Sequence, residues 1–302
     1  MKFGKVADPS TIDFTIPEDH PETQHVFHKY GQPNNAFPVY IGCAKWNKND
    51  LRNFYPKGTK DELSYYSKQF NCIEMNSTFY RTFAPEQYKK WADKTPSAFR
   101  FFPKVSQEIS HFKQLNEIDE VLDRYLFATT HFGDKLGTIF LQMHERFSPK
   151  NFDRLQSFIE RWPTDLKLTV ELRHTDWYND SAVSSELYEL LESGGISNTL
   201  VDTAGRRDLM HMRMTTPRPF IRWVGANHSS DYDRLDQWVD RIEHWSNQGM
   251  TALYFFIHQN LEEKSPLLSA YLIERLNERL QLNLKVPQTL IQPTHGVQSS
   301  LF

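Results

Sequence analysis

Short β-branched and aromatic runs recur along this chain, separated by amphipathic stretches, and this alternation constrains the fold more than any other feature. Parallel strands need a long crossover between them, usually a helix. Strand and helix repeated without interruption therefore predict a parallel sheet covered by helices. Eight runs qualify as strands: Val39 to Ala44, Cys72 to Asn76, Phe99 to Val105, Thr138 to Met143, Lys167 to Leu172, Thr199 to Asp202, Phe220 to Val224 and Ala252 to His258. Helical stretches fill most gaps: Asp61 to Gln69, Pro85 to Asp93, Glu117 to Phe132, Phe152 to Arg161, Ser185 to Ser193, Asp233 to Ser246 and Leu267 to Leu280. Leu235, Trp238, Val239, Ile242 and Trp245 share one helix face, as do Leu268, Leu272, Leu276 and Leu280. Gly194-Gly195 and Gly249 stand where helices must stop before the next strand. Eight such units in succession predict an α/β fold of the closed (β/α)8 TIM-barrel type rather than an open doubly wound sheet.

A single domain over residues 38–284 accommodates all eight units. Residues 1–37 carry Pro9, Pro17, Pro21 and Pro33 and no sustained period, so they read as an N-terminal extension draped over or trailing from the domain, and residues 285–302 read as a C-terminal tail. The sixth connection, Thr203 to Pro219, lacks a helical period and is expected to be an irregular loop over the site. The 22 Phe, 13 Tyr and 7 Trp supply a large buried core and exclude disorder for most of the chain. A net charge of -3 argues against broad nucleic-acid binding, while leaving room for a local basic pocket. No apolar run approaches a membrane span and the N-terminus lacks a secretory pattern, so cytoplasmic residence without a membrane partner is expected. Cys43 and Cys72 lie in apolar runs and read as reduced core thiols.

In parallel-strand proteins, ligands bind at the carboxyl ends of the strands. Ionisable and amide groups follow nearly every run: Glu74 and Asn76, Lys104, Gln142, Glu171 and Arg173, Asp202, Arg222, and His258. Period two puts Glu74 with Asn76, and Glu171 with Arg173, on common strand faces. Unpaired charges against a helix layer would be costly, which favours the mouth. Two readings follow. Either these groups form a ligand site, or they form an internal salt-bridge plug, for example Glu171 with Arg222 or Lys104.

At these residues the chain resembles the YecE-like family, domain of unknown function 72. The likeness rests on Ile41-Gly-Cys-Ala-Lys-Trp46, Phe54-Tyr-Pro56, Glu74-Met-Asn-Ser-Thr-Phe-Tyr80, Trp91 with Thr95-Pro96, Ser110-His111, Gln142, Glu171-Leu-Arg-His-Thr-Asp-Trp177, Asp202 and Arg222 in order. It covers about Val39 to Leu280 and implies TIM-barrel architecture with a site at the mouth, without implying a reaction. The chain departs from the family pattern around that mouth, at Cys43-Ala44-Lys45, Met143-His144, Trp223-Val224-Gly225 and His258-Gln259.

The chemistry expected is that of an anion-binding pocket, with hydrolysis of phosphate esters as the reaction class. Lys104, Arg173 and Arg222 would hold phosphate or carboxylate oxygens, helped by Asn76, Tyr80, His111, Gln142 and His258. Glu74, Glu171 and Asp202 are the candidate catalytic carboxylates, one of them supplying a base to water. Glycoside hydrolysis by Glu74 and Glu171 ranks lower. No cofactor is expected. A divalent metal on Glu74, Glu171, Asp202 and His258 or His144 is a lesser variant, since no HxH, HExxH or DxD spacing supports it. The alternative is a non-catalytic module for nucleic acid or another anionic polymer, with Trp46, Tyr80, Trp177 and Trp223 stacking on bases or sugars. A small anionic ligand is favoured over nucleic acid. Nucleophile-elbow, dinucleotide and phosphate-loop motifs are absent.

Overall fold

The computed structural model describes residues 4–32 and 36–290. In chain order the elements are α1 (Pro21–Tyr30), β1 (Val39–Cys43), α2 (Glu62–Gln69), β2 (Cys72–Met75), α3 (Ser77–Tyr80), α4 (Pro85–Asp93), β3 (Arg100–Pro103), α5 (Asp119–Thr129), β4 (Ile139–Gln142) and α6 (Phe152–Arg161). They continue with β5 (Leu168–Glu171), α7 (Asp176–Asn179), α8 (Ser181–Ser193), β6 (Ser197–Asn198), β7 (Leu200–Asp202), β8 (Phe220–Gly225), α9 (Ser230–Gln248), β9 (Leu253–Gln259) and α10 (Ser265–Leu280). Every strand pairing is parallel. The ladders form a four-stranded sheet in the order β1-β9-β8-β7, a pair β2-β3, and a three-stranded sheet β4-β5-β6.

The fold is thus mixed α/β with helices between parallel strands, but among the described residues the ladders make three sheets and no single closed one. The sixth expected strand, Thr199 to Asp202, forms as Leu200–Asp202 paired with β8, and an additional short strand, Ser197–Asn198, precedes it and pairs with β5, so the chain passes between sheets at Thr199. Isolated parallel bridges, Phe101 with Leu136 and Lys104 with Phe140, lie between the β2-β3 pair and the β4 side.

Local chemistry explains most helix boundaries. The Asp180 carboxylate accepts from the backbone N–H groups of Ala182 and Val183, so α8 starts four residues before its expected Ser185. Asp61 caps α2 by accepting from Ser64 N, and Pro85 opens α4. Gly249 closes α9 with φ +119° and Gly195 adopts φ +62°, while Gly194 remains right-handed. Residues 204–209 form a short 3-10 turn and residues 210–219 hold no helix, in keeping with an irregular sixth connection.

The N-terminal segment contains α1, which sequence reading did not anticipate. Only Thr23, Val26 and Phe27 of this helix are buried, too few to give a periodic signal. Upstream of it, Phe14 and Ile16 are also buried, and the Asp19 carboxylate accepts from Arg241 and from Trp245 Nε1 on α9. No helix among the described residues is long and apolar enough to cross a membrane.

One feature of the core positions the site. Cys72, Phe102, Phe140, Phe220, Ala252, Tyr254 and Phe256 form a buried cluster with no helix residue in it, separate from the helix-lined clusters, and half-buried Tyr40 packs against it. Some of its rings meet edge to face, as Phe102 and Phe256 do at 5.0 Å between centroids, and others stack, as Phe140 does with Phe220.

Candidate functional site

Side chains two residues apart on a strand share a face. Two positions beyond Cys72, Phe102, Phe140, Phe220 and Phe256 stand Glu74, Lys104, Gln142, Arg222 and His258, so the aromatic cluster continues at its carboxyl end into a polar ring. Glu171 joins from the end of β5, and Arg173 follows it.

The ring is tightly bonded. Arg222 donates from Nε to Glu74 Oε2 at 2.8 Å, from Nη2 to Glu74 Oε1 at 2.9 Å, and from Nη1 to Glu171 Oε2 at 2.8 Å. Arg173 Nε and Gln142 Nε2 both donate to Glu171 Oε1, at 2.6 and 2.9 Å, and Gln142 Oε1 accepts from Lys104 Nζ at 2.7 Å. Asn76 Nδ2 donates to Glu74 Oε1 at 2.8 Å, and His258 Nε2 lies 3.0 Å from Glu74 Oε2. The Arg222 guanidinium rests 4.7 Å from the centroid of Phe140, and Lys104 Nζ lies 4.1 Å from that of Phe79. Glu171 and Arg222 pair directly, as the plug reading expected, whereas Lys104 reaches Glu171 through the Gln142 amide.

These contacts set the charge states. Burial alone would raise the Glu171 carboxyl, but Arg173 and Arg222 outweigh it and bring its pKa down to about 2. Burial acts against ionisation of Glu74 too, and Arg222 and His258 hold it well below the usual carboxylate range. Both are anions whose oxygens are already engaged, so neither is a general base. For Lys104 the balance runs the other way: burial, then the charges of Arg222 and Arg173, push the amine down to about 7.

Above the ring opens a cavity of about 680 Å³. Lys104, Arg173, Arg222 and His258 line it together with Asn76, Phe79 and Tyr80, and Lys5, Lys45, Asp50, Arg52, Glu262 and Glu263 line it as well. Tyr80 is 63% exposed. Glu74, Glu171 and Gln142 stand behind this wall and orient its cations.

Two of the expected site residues lie elsewhere. Asp202 does not join the ring: its carboxylate accepts from Arg234 Nη2 at 2.8 Å, Trp238 Nε1 at 2.7 Å and Arg207. Alternation explains this, because Val201 lines the cavity and its neighbour Asp202 therefore points to the opposite face, toward α9. His111 sits behind Phe79, its ring edge-on at 4.8 Å with Nδ1 2.9 Å from Ser110 Oγ. Burial, then Lys104, lowers its pKa to about 4. It does not line the cavity. The four-residue metal set also fails to assemble, since Asp202 is apart and guanidinium groups occupy the oxygens of Glu74 and Glu171. Among the described residues no group of three or more His, Cys, Asp or Glu could hold a metal ion.

Sequence reasoning missed Phe79, Lys5, Asp50, Arg52, Glu262 and Glu263, whereas Lys45 had been marked at the mouth. Phe79 had a signal, lying three positions after Asn76 in the short helix α3 that turns back over the strand end. Lys5 had none, because only the course of the N-terminal segment brings it to the mouth.

Comparison with known proteins bears on the family and the fold. The UPF0759 protein YecE of Escherichia coli strain K12 is 27% identical over 286 residues, covering 87% of this chain and all of that protein. A DUF72 family protein of Thermotoga maritima superposes with a TM-score of 0.65 at 22% identity over 81% of this chain and all of that one. One from Enterococcus faecalis gives 0.64 at 18% identity over 82% of this chain and 99% of that one. These two likenesses bear on the fold alone. Residues 40–291 match the family described as "Protein of unknown function DUF72", and the chain belongs to that family.

Proposed function

We propose that this protein is an enzyme whose cavity binds a small anionic ligand, and that its reaction is hydrolysis of a phosphate ester. One observation carries the reading: three basic side chains, Lys104, Arg173 and Arg222, each at least nine-tenths buried, converge on one cavity. The two guanidinium groups, held by Glu74 and Glu171, need no reorganisation to receive an arriving anion, and an anion beside Lys104 would favour its protonated form.

Hydrolysis needs a base for water, and the engaged carboxylates are poor choices. His258 fits better. Glu74 fixes its Nε2, while Nδ1 has no hydrogen-bond partner among the described residues, which leaves a nitrogen for water in a carboxylate-oriented imidazole. The proposal keeps Glu74 and Glu171 in the machinery as positioning residues and moves proton transfer to His258.

We also infer that the strands close into a (β/α)8 barrel spanning residues 38–284, with residues 1–37 and 285–302 peripheral. Three features support it. The first and last strands pair, residues 197–202 touch both larger sheets, and isolated bridges lie beside β3. Asn71 further spans the gap next to β1, its side chain bonding Ile41 N and Val39 O. Buried free thiols at Cys43 and Cys72 suit a reducing, cytoplasmic setting.

The test is phosphate release from a panel of phosphomonoesters, with His258→Ala alongside the wild type. Release that falls at least about a hundredfold in the variant supports the assignment. If no ester is turned over and short oligonucleotides bind with steep loss on adding salt, the site is instead a polymer-binding one.

A further inference from the structure

Lys104 differs from the other cations of the ring. Arg173 and Arg222 each pair with a carboxylate, whereas Lys104 Nζ donates to an amide oxygen, that of Gln142, and makes no ion pair with a carboxylate among the described residues. The side chain is 1% exposed, yet it lines the cavity, with the Phe79 ring on one side and the guanidinium groups of Arg173 and Arg222 nearby. A lysine in a desolvated setting beside other cations is held toward the neutral, nucleophilic amine.

We propose that Lys104 is a covalent amine that condenses with the carbonyl of an aldehyde or ketone also bearing a phosphate or carboxylate, giving an imine in the cavity. The inference rests on the anion-binding reading and narrows the ligand to an anionic carbonyl compound. Arg173 and Arg222 hold the anionic end. The Nζ lone pair forms a bond to the carbonyl carbon, the π pair moves to oxygen, and a proton passes from nitrogen to that oxygen, giving a carbinolamine. Its hydroxyl then takes up a proton and leaves as water while the nitrogen lone pair forms the C=N bond, and the iminium so formed gives back one proton from nitrogen to leave the imine. One water is released and nothing is oxidised or reduced. Gln142 holds the amine at the wall, and Phe79 covers it. The amine pKa of about 7 leaves roughly half of it reactive at neutral pH, where an ordinary lysine would be almost wholly protonated.

The test is reductive trapping of the full chain with glycolaldehyde phosphate and cyanoborohydride, read by peptide mass mapping. Uncharged glycolaldehyde serves as a second probe, and binding of inorganic phosphate is measured by thermal shift. The expected result is one dominant adduct on Lys104, formed half-maximally near pH 7 and absent in Lys104→Gln. Inorganic phosphate at about ten times its Kd should slow labelling about tenfold. A phosphate shift without an adduct on Lys104 would overturn the imine and leave the anion site standing. Absence of both would overturn both. Labelling of Lys104 by glycolaldehyde as fast as by its phosphate, with no protection by inorganic phosphate, would overturn the anionic carbonyl ligand. The wild-type pH profile decides even if the variant does not fold, because labelling of Lys104 that rises only toward pH 10 marks an ordinary lysine.

Discussion

Arg222 grips Glu74 through two contacts at once, Nε to Oε2 at 2.8 Å and Nη2 to Oε1 at 2.9 Å, and it extends its remaining nitrogen to Glu171. One guanidinium therefore bridges two buried carboxylates from strands far apart in sequence. Arg222→Met should cost about 3–5 kcal/mol in urea denaturation, because Glu74 and Glu171 would each lose their shared counterion in a dry setting. The double variant Arg222→Met/Glu74→Met should recover part of that loss. If the single variant is as stable as wild type, the ring does not hold the strand ends together.

Acid should expose the same dependence. Glu171 titrates at about 2 when folded, and an unfolded glutamate near 4.5, so the folded form binds fewer protons between these values. The stability this contributes is complete above the unfolded value and is lost as pH falls through the folded one. A Glu171→Gln variant, measured against wild type by denaturation from pH 6 to pH 2, should show a flatter fall.

Lys104 predicts a slope of the same sign on the alkaline side. Its folded pKa of about 7 lies below the ordinary 10.5, so between these values the unfolded chain binds more protons and stability rises with pH. The limit for one such group is about 1.4 kcal/mol per pH unit. Lys104→Met should remove that component, and an unchanged slope in the variant would show that the amine is not desolvated.

Asp202 should behave as a structural residue. Its carboxylate collects Arg234, Trp238 and Arg207, and Arg207 also donates to the backbone oxygens of Phe14 and Thr15. Asp202→Asn should lower thermal stability and loosen the N-terminal segment to proteolysis, while phosphate affinity changes less than about threefold. A loss of affinity matching that of Arg173→Ala would return Asp202 to the site.

Much of this was legible in the chain because period two is a strong signal. Glu74, Lys104, Gln142 and Arg222 each stand two residues beyond a core aromatic or Cys72, so the strand pattern alone put them on one face. The same rule, applied one residue further, would have turned Asp202 outward. Sequence placed it at the mouth because it ends an apolar run, and only the burial of Val201 against the cavity fixes the parity. The short strand Ser197–Asn198 left no mark, since its two polar residues fall outside the apolar run expected from Thr199 and only their pairing with β5 makes them a strand. Helix α1 was hidden for a related reason, its contact face being three residues wide. The partners of the carboxylates were invisible too, and they decide the chemistry: an unpaired Glu74 would be a base, and one held by Arg222, His258 and Asn76 is a scaffold.

The central claim, that the cavity binds a small anion through its buried cations, is tested most directly by isothermal titration of inorganic phosphate into wild type and Arg173→Ala at one fixed salt concentration. The account predicts one phosphate per wild-type chain and a loss of roughly ten- to a hundredfold in affinity on removing Arg173, the worth of a charge-assisted hydrogen bond, with cooperative unfolding retained. No saturable binding to wild type, or equal binding to both proteins, would contradict it and leave the ring as a salt-bridge plug.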